Sequence, residues 1–129
     1  MKKLMLTAAM ILVAGVAMAD PVEGTWKTAP DDNGNFGHVQ VKACGAAFCG
    51  TLVKAFDGSG KEIKSDNVGK KIIWDMVSYP DGLYDDGKVW SPDRNKTYDS
   101  DMTLSGNTVK VRGCVMGICR NGGTWTKVK

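Results

Sequence analysis

The chain has 129 residues, of which 43% are hydrophobic and 24% are charged, and this length suits one small domain with one core. The formal net charge is +3, and the 17 lysines and arginines are dispersed among 14 acidic residues. The sequence therefore predicts no basic groove of the kind that neutralises nucleic-acid phosphates.

Residues 1–19 have the pattern of a secretory signal peptide. Two lysines precede an apolar run that reaches Val16, and residues 17–19, Ala-Met-Ala, form the small-x-small sequence that a signal peptidase accepts. At about 1.5 Å per residue this run is shorter than the roughly 30 Å hydrocarbon core of a bilayer, so we expect no transmembrane anchor. The sequence predicts cleavage near Ala19, a single mature domain over residues 20–129, and a location in the periplasm or outside the cell.

The rest of the chain has the alternating pattern of an all-β protein. Short apolar or alternating runs are separated by Gly, Asn, Asp and Pro at close intervals, which indicates strands joined by turns. About eight strands are expected, from residues 24–28, 38–56, 71–79, 88–91, 97–111 and 124–128. Residues 61–70 are expected to form a long loop or a single helical turn. A small antiparallel up-and-down barrel hides the edges of such a sheet completely, and a sandwich is the alternative.

Alternation also predicts the register of the hairpin at residues 97–111. The turn Ser-Gly-Asn-Thr at residues 105–108 places Leu104 opposite Val109 and Met102 opposite Val111 on the buried face. Polar residues then occupy the outer face of the same hairpin.

The cysteines form two copies of one spacing, each with four residues between its members: Cys44 with Cys49, and Cys114 with Cys119. In an oxidising compartment this pattern indicates disulfides. A crossed pairing would gain more loop entropy, but each local pair lies where a strand turns back, so geometry favours local pairing. In the first hairpin this pairing brings Val41 opposite Leu52. A four-thiolate zinc site and a redox pair are the alternatives, although both normally use shorter spacings.

Several short motifs spread over the mature chain together resemble the bacterial envelope family catalogued as domain of unknown function 2147. They are residues 24–28, 49–53, 66–69, 87–92, 96–98, 111–114 and 124–128. The resemblance implies a small exported protein with a lipocalin-like barrel and implies no activity. At residues 90–92 this chain has Trp-Ser-Pro where the family often has Tyr-Asp-Pro, so no catalytic role is assigned to Ser91.

The start of the mature chain also resembles the lipocalins, which carry a Gly-x-Trp motif near the first strand, here Gly24 and Trp26. The resemblance implies that this Trp seals one end of the barrel and that an Arg from a late strand, Arg112 or Arg120, packs over its ring. An ordinary core tryptophan near a surface arginine is the alternative.

No group of residues in the sequence predicts catalysis. His38 is the single histidine, so no imidazole pair exists for a metal site or a relay. The serines lack a nucleophile-elbow context, and the acidic clusters lack the ligand spacing of a calcium loop. We therefore expect no enzyme activity, no catalytic residue, no metal and no cofactor.

Aromatic side chains are the remaining functional clue. If several point into a partly open barrel, they line an apolar cavity for a small hydrophobic ligand. The candidate lining residues are Trp26, Phe56, Trp74, Tyr98 and Met102. A non-enzymatic binding module is therefore the first functional hypothesis. The alternative is an envelope structural or protein-interaction module with a filled core, for a partner that the sequence does not identify.

Overall fold

The computed structural model of the protein describes residues 19–129. The predicted signal peptide therefore lies outside the described residues, except for Ala19. The described part is built from nine β-strands and one short 3₁₀ turn at Pro80–Gly82. The strands are β1 (Gly24–Lys27), β2 (Phe36–Cys44), β3 (Ala47–Phe56), β4 (Glu62–Ile63), β5 (Lys71–Ser78), β6 (Leu83–Ser91), β7 (Lys96–Ser105), β8 (Thr108–Val115) and β9 (Ile118–Lys127).

The strands form one antiparallel sheet in the order β2-β1-β9-β8-β7-β6-β5-β3-β4, and a further pairing of β2 with β3 closes it. Eight strands therefore make a closed barrel, which confirms the predicted all-β fold. The ninth strand, β4, lies in the segment for which the sequence predicts a loop or a single helical turn. It pairs Glu62 and Ile63 with the end of β3 and extends the sheet outside the ring.

Within the ring, the pairing between β1 and β9, the first and last strands of the chain, is short. Strand β1 pairs with β9 through Trp26 with Lys127 and Lys27 with Thr126, whereas β7 and β8 share seven residue pairs. Backbone hydrogen bonds join Thr25 to Val128 and Lys129 next to this seam.

The predicted register of the β7–β8 hairpin is confirmed. Leu104 pairs with Val109 and Met102 pairs with Val111, and Met102, Val109 and Val111 are buried. Alternation is a reliable guide here because the connecting turn is tight and one face of the hairpin is apolar.

The predicted register of the β2–β3 hairpin is wrong by two residues. Val41 lies opposite Gly50, and Leu52 lies opposite Val39. The chain turns at residues 45 and 46, so the partner of Cys44 in the sheet is Ala47. The assumption that the two cysteines are direct partners misplaced the turn, and every pair behind it shifted accordingly.

Both disulfides form within their own hairpin, Cys44 with Cys49 and Cys114 with Cys119. Cys114 and Cys119 are also direct partners in the sheet. Cys49 instead lies opposite Lys42, so the first disulfide runs diagonally across its hairpin. The same spacing therefore serves two different registers.

One end of the barrel, which we call the closed end, is filled by large side chains. Val22, Trp26, Val41, Met102 and Val109 meet there and leave no space that admits a water molecule. Trp26 and Met102 are 1% and 0% exposed. Interior packing of this density is the main source of stability in a domain of this size.

Along residues 19–129, no helix has the length and apolar character needed to span a membrane.

Candidate functional site

The other end of the barrel, which we call the open end, holds a cavity of about 800 Å³. Its floor is apolar and buried, and it consists of Val39, Leu52, Ile72, Val111 and Trp125. Val39, Leu52, Val111 and Trp125 point inward because successive residues of a strand alternate between the two faces of the sheet. Ile72 and its neighbour Ile73 are both buried, beside the register shift between Gly50 and Thr51. A volume of this size lies in the range of pockets that hold small organic ligands.

The middle of the cavity is bordered by aromatic rings from three parts of the sheet. Tyr98 on β7 lies opposite Val89 on β6, and Trp90 donates a hydrogen bond from Nε1 to the Asn95 side chain at 3.2 Å. Phe36 and Phe56 stack with ring centroids 4.9 Å apart. All of these residues except Asn95 line the cavity.

Charged side chains surround the mouth of the cavity. The lining includes three acidic residues and two arginines there: Asp31, Asp32, Asp93, Arg94 and Arg120. A hydrogen bond with Tyr98 raises the pKa of the Arg94 guanidinium, and the nearby Asp93 and Asp32 carboxylates act in the same direction. The two signs are nearly balanced, so the mouth is polar without a strong field of either sign.

The loop before β2 is held in place at this mouth by Asp31. Its Oδ1 accepts hydrogen bonds from the backbone N–H groups of Asn33 at 2.8 Å and Asn35 at 2.9 Å. Such a local acceptor fixes a turn without a regular ladder. One side of the rim is therefore an ordered loop.

The tip of the β8–β9 hairpin forms another part of the rim. Val115, Met116 and Ile118 all line the cavity, yet they are 56%, 96% and 69% exposed. The Cys114–Cys119 disulfide joins the two strands next to this tip. Apolar side chains thus continue from the cavity wall out into solvent.

Trp26 of the Gly-x-Trp motif packs in the closed end, and Gly24 lies next to the C-terminal residue. Trp26 donates its indole N–H to the Val22 carbonyl at 2.8 Å in a buried hydrogen bond. Gly24 has a φ of +137°, and a Cβ there would lie 2.6 Å from the Lys129 carbonyl oxygen. A side chain at position 24 would therefore disturb the closing seam as well as the local backbone.

The cation over the Trp26 ring is Lys127, not the predicted Arg112 or Arg120. The Lys127 Nζ lies 4.9 Å from the ring centroid and donates to the carbonyls of Pro21 at 3.1 Å and Glu23 at 2.7 Å. Arg112 instead pairs through two nitrogens with Asp101, which also raises the pKa of the guanidinium.

Neither predicted arginine lies on the same face and at the same end of the barrel as Trp26. Arg112 alternates with Val111, which faces the barrel interior, so its side chain lies on the outer face. Arg120 belongs to the mouth at the opposite end.

The predicted lining residues divide into three groups. Phe56 and Tyr98 border the cavity. Trp26 and Met102 lie inside the barrel, but they pack in the closed end. Trp74 is half-buried and belongs neither to the cavity lining nor to the core cluster.

Other lining residues were missed by sequence reasoning. Phe36 lies outside the predicted strands, which place the start of β2 at His38, and Trp90 and Trp125 lie on predicted strands but are not among the predicted lining residues. The hairpin tip was treated only as the site of a disulfide. Its run of uncharged residues, 113–119, is a signal that could have identified it.

His38 lies at the side of the aromatic stack, with its ring centroid 4.7 Å from that of Phe56. Burial, followed by the positive charge of Lys54, lowers the pKa of the imidazole below its ordinary value of 6.5. The residue is thus biased toward its neutral form.

Within residues 19–129, one group of three potential metal ligands lies close together: Asp101, Cys114 and Cys119. The two sulfurs are bonded to each other, and Asp101 is engaged by Arg112. The group therefore has no free thiolate to offer a metal ion.

Comparisons with known proteins agree with this architecture. A family model described as "Uncharacterized protein conserved in bacteria (DUF2147)" matches residues 24–127. The solved structure of protein HP1028 from Helicobacter pylori, described as belonging to the lipocalin family, is similar with a TM-score of 0.68 and 15% identity, over 87% of this chain and 85% of that chain. No curated protein matches the chain. At this identity the likeness shows the fold alone, which is a lipocalin-like barrel.

Proposed function

The chain belongs to the DUF2147 family of uncharacterised bacterial proteins, and we propose that it is a non-enzymatic binding module that holds a small hydrophobic ligand in the open end of its barrel. The observation that carries this proposal is the cavity of about 800 Å³ above an apolar, buried floor. A lipocalin-like fold is compatible with such a role.

The shape of the lining gives the expected ligand an orientation. The floor offers aliphatic contacts through Val39, Leu52, Ile72 and Val111, and the charged groups lie only at the mouth. An apolar body buried on the floor contributes about 25 cal/mol per Å² removed from water. A polar group on the ligand would stay at the rim, where it keeps its hydrogen bonds to water or to the side chains there.

The alternative is an interaction module with a filled core. The packing of the closed end fits that alternative, whereas the cavity at the open end favours ligand binding. For the site of action we propose the periplasm after removal of the signal peptide. Two disulfides in so small a protein favour an oxidising compartment.

The test is titration of the purified protein with an apolar fluorescent probe, N-phenyl-1-naphthylamine, together with native mass spectrometry for a co-purified compound. Trp90 and Trp125 line the cavity, so their fluorescence should change as the probe binds.

A variant that fills the cavity sharpens this test. Gly113 lines the cavity, and a Cβ there would lie 3.4 Å from the Cβ of Tyr98. Gly113→Phe should therefore place a ring in the cavity and weaken probe binding by about tenfold or more, the equivalent of roughly 1.4 kcal/mol. Lys110→Phe, an aromatic addition on the outer face of the same strand, is the control. Equal probe affinity in wild type and Gly113→Phe would contradict the proposal.

A further inference from the structure

The tip of the β8–β9 hairpin presents large apolar side chains to solvent at a position where folding gains nothing from them. Met116 is 96% exposed, Ile118 is 69% exposed and Val115 is 56% exposed. From Gly113 to Cys119 the hairpin carries no charge. A contiguous exposed apolar patch on a small soluble domain is often a functional contact surface.

The backbone conformation of the tip is unfavourable for a methionine at position 116. Met116 and Gly117 have φ angles of +52° and +79°, so both central residues of the turn are left-handed. Asn-Gly is the preferred pair for such a turn, because Asn tolerates this region better than a long apolar side chain does. Met116 therefore costs stability through its backbone and gains none from burial of its side chain.

The tip is also held rigidly. Val115 pairs with Ile118, and the next pair along the hairpin is Cys114 with Cys119, which the disulfide joins. A backbone held in this way loses little conformational entropy when the side chains of the tip enter a contact.

We propose that this tip, defined by Val115, Met116 and Ile118, inserts into the surface of a phospholipid bilayer and brings the mouth of the cavity to the lipid. All three residues belong to the cavity lining, so a ligand could pass between lipid and cavity along a continuous apolar path.

The size of the tip favours lipid over a second protein. The tip offers three apolar side chains, whereas each partner of a stable protein interface contributes about 20 to 30 residues. A few apolar side chains are enough for reversible membrane contact, which needs no complementary partner surface.

The charges at the mouth determine how far electrostatic attraction contributes to membrane binding. Two arginines, Arg94 and Arg120, lie among three aspartates, Asp31, Asp32 and Asp93, so the net charge of this surface is close to zero. Insertion of apolar side chains drives binding, and binding should depend only weakly on salt or on anionic lipid.

The experiment is flotation of the folded protein with phosphatidylcholine vesicles, with and without phosphatidylglycerol, and without any cavity ligand. The key variant is Met116→Asn, which creates the preferred Asn-Gly turn and removes the most exposed apolar side chain. It should keep or raise the thermal stability while vesicle partitioning falls by about tenfold. Ile118→Thr should reduce partitioning in the same direction. The control is Val68→Asn, because Val68 is 42% exposed but lies outside the cavity lining.

Loss of vesicle binding in Met116→Asn with normal binding in Val68→Asn supports the proposal. Failure of the wild-type protein to float, or equal flotation of wild type and Met116→Asn, would overturn it. A concentration-dependent dimer in the absence of lipid that Met116→Asn abolishes would overturn it in favour of a second copy of the chain. Since no cavity ligand is present in the flotation assay, its result is separate from that of the probe titration.

Discussion

The two ends of the barrel are built from the same strands but are packed in opposite ways. At the closed end, Trp26 and Met102 leave no room for water. At the open end, a cavity of about 800 Å³ remains. The comparison shows that side-chain volume, rather than backbone architecture, decides which part of this barrel is core and which part is available to a ligand.

Strand β8 illustrates how the change is made. Its inward positions from the closed end to the open end are Val109, Val111 and Gly113. At the closed end the space opposite Val109 is filled by large neighbours, whereas Gly113 at the open end contributes no side chain at all. We expect mutations at the two ends to separate stability from binding.

The largest effect is expected from tryptophan truncation at the closed end. Trp26→Ala should lower the free energy of unfolding by about 3 to 5 kcal/mol, because it leaves a cavity and removes the buried hydrogen bond to Val22. The matched change at the open end, Trp90→Ala, should cost about 1 to 2 kcal/mol, because Trp90 is half-buried and already borders empty space. Urea denaturation of both variants provides the measurement.

For probe binding, the substitution at the open end should have the larger effect. Trp90→Ala should weaken binding of N-phenyl-1-naphthylamine, whereas Trp26→Ala, where folded, should keep it. Equal losses of stability in the two variants would remove the distinction between the ends.

Removal of the disulfides is expected to have the next largest effect. Each closes a ring of six residues, which corresponds to about 2 kcal/mol in the chain-entropy model. Replacing Cys44 and Cys49 by Ala should cost more than replacing Cys114 and Cys119, because Cys49 is 2% exposed and its loss also leaves a packing defect. Thermal unfolding of the two double variants would test this order, and the reverse order would contradict it.

A smaller effect is expected from the lysines that lie over aromatic rings. Lys127→Met should cost about 1 to 2 kcal/mol, because it removes the contact with Trp26 and two hydrogen bonds to carbonyls. Lys27→Met is the control at the open end, where the Lys27 Nζ lies 4.6 Å from the Phe36 ring centroid. Denaturation curves should show less change for Lys27→Met, and equal changes would contradict the role of the carbonyl hydrogen bonds.

The smallest effect is a pH dependence located at His38. Because burial and Lys54 lower the pKa of His38 in the folded protein, the unfolded chain takes up this proton first as the pH falls. Its contribution to stability is therefore complete above about pH 6.5 and declines as the pH drops through that value toward the folded pKa. His38→Gln should flatten the stability profile in this range, and an unchanged profile would show that other groups produce it.

The sequence predicts the barrel and part of its interior, and the reasons differ from place to place. Alternation is strong in β7 and β8, where Met102 and Val111 pair as predicted. It fails in the β2–β3 hairpin, where the chain turns at residues 45 and 46, so that Cys44 pairs with Ala47 and not with Cys49. The cysteine spacing does not tell whether the two partners of a disulfide lie directly or diagonally across a hairpin, and the bulge between His38 and Val39 displaces only the pairs beyond it.

The division between the two ends was not predictable from the sequence either. Trp26, Phe56, Tyr98 and Met102 all appear suitable as lining residues, because a strand pattern gives the face of a side chain but not its height in the barrel. The height depends on how neighbouring strands are staggered when the sheet closes. The identity of the cation over Trp26 depends on that same stagger.

The short pairing of β1 with β9 determines how this barrel comes apart. It joins the two strands most distant in sequence, so it carries the largest loop-closure cost, which only two residue pairs and the neighbouring hydrogen bonds of Thr25 offset. We expect the amide protons of β1 to exchange with deuterium sooner than those of β7 and β8, and the ring to form last during folding. The barrel is thus a series of hairpins whose ring is completed by the β1–β9 pairing. Trp26 is itself one of the paired residues, so its packing in the core stabilises that pairing.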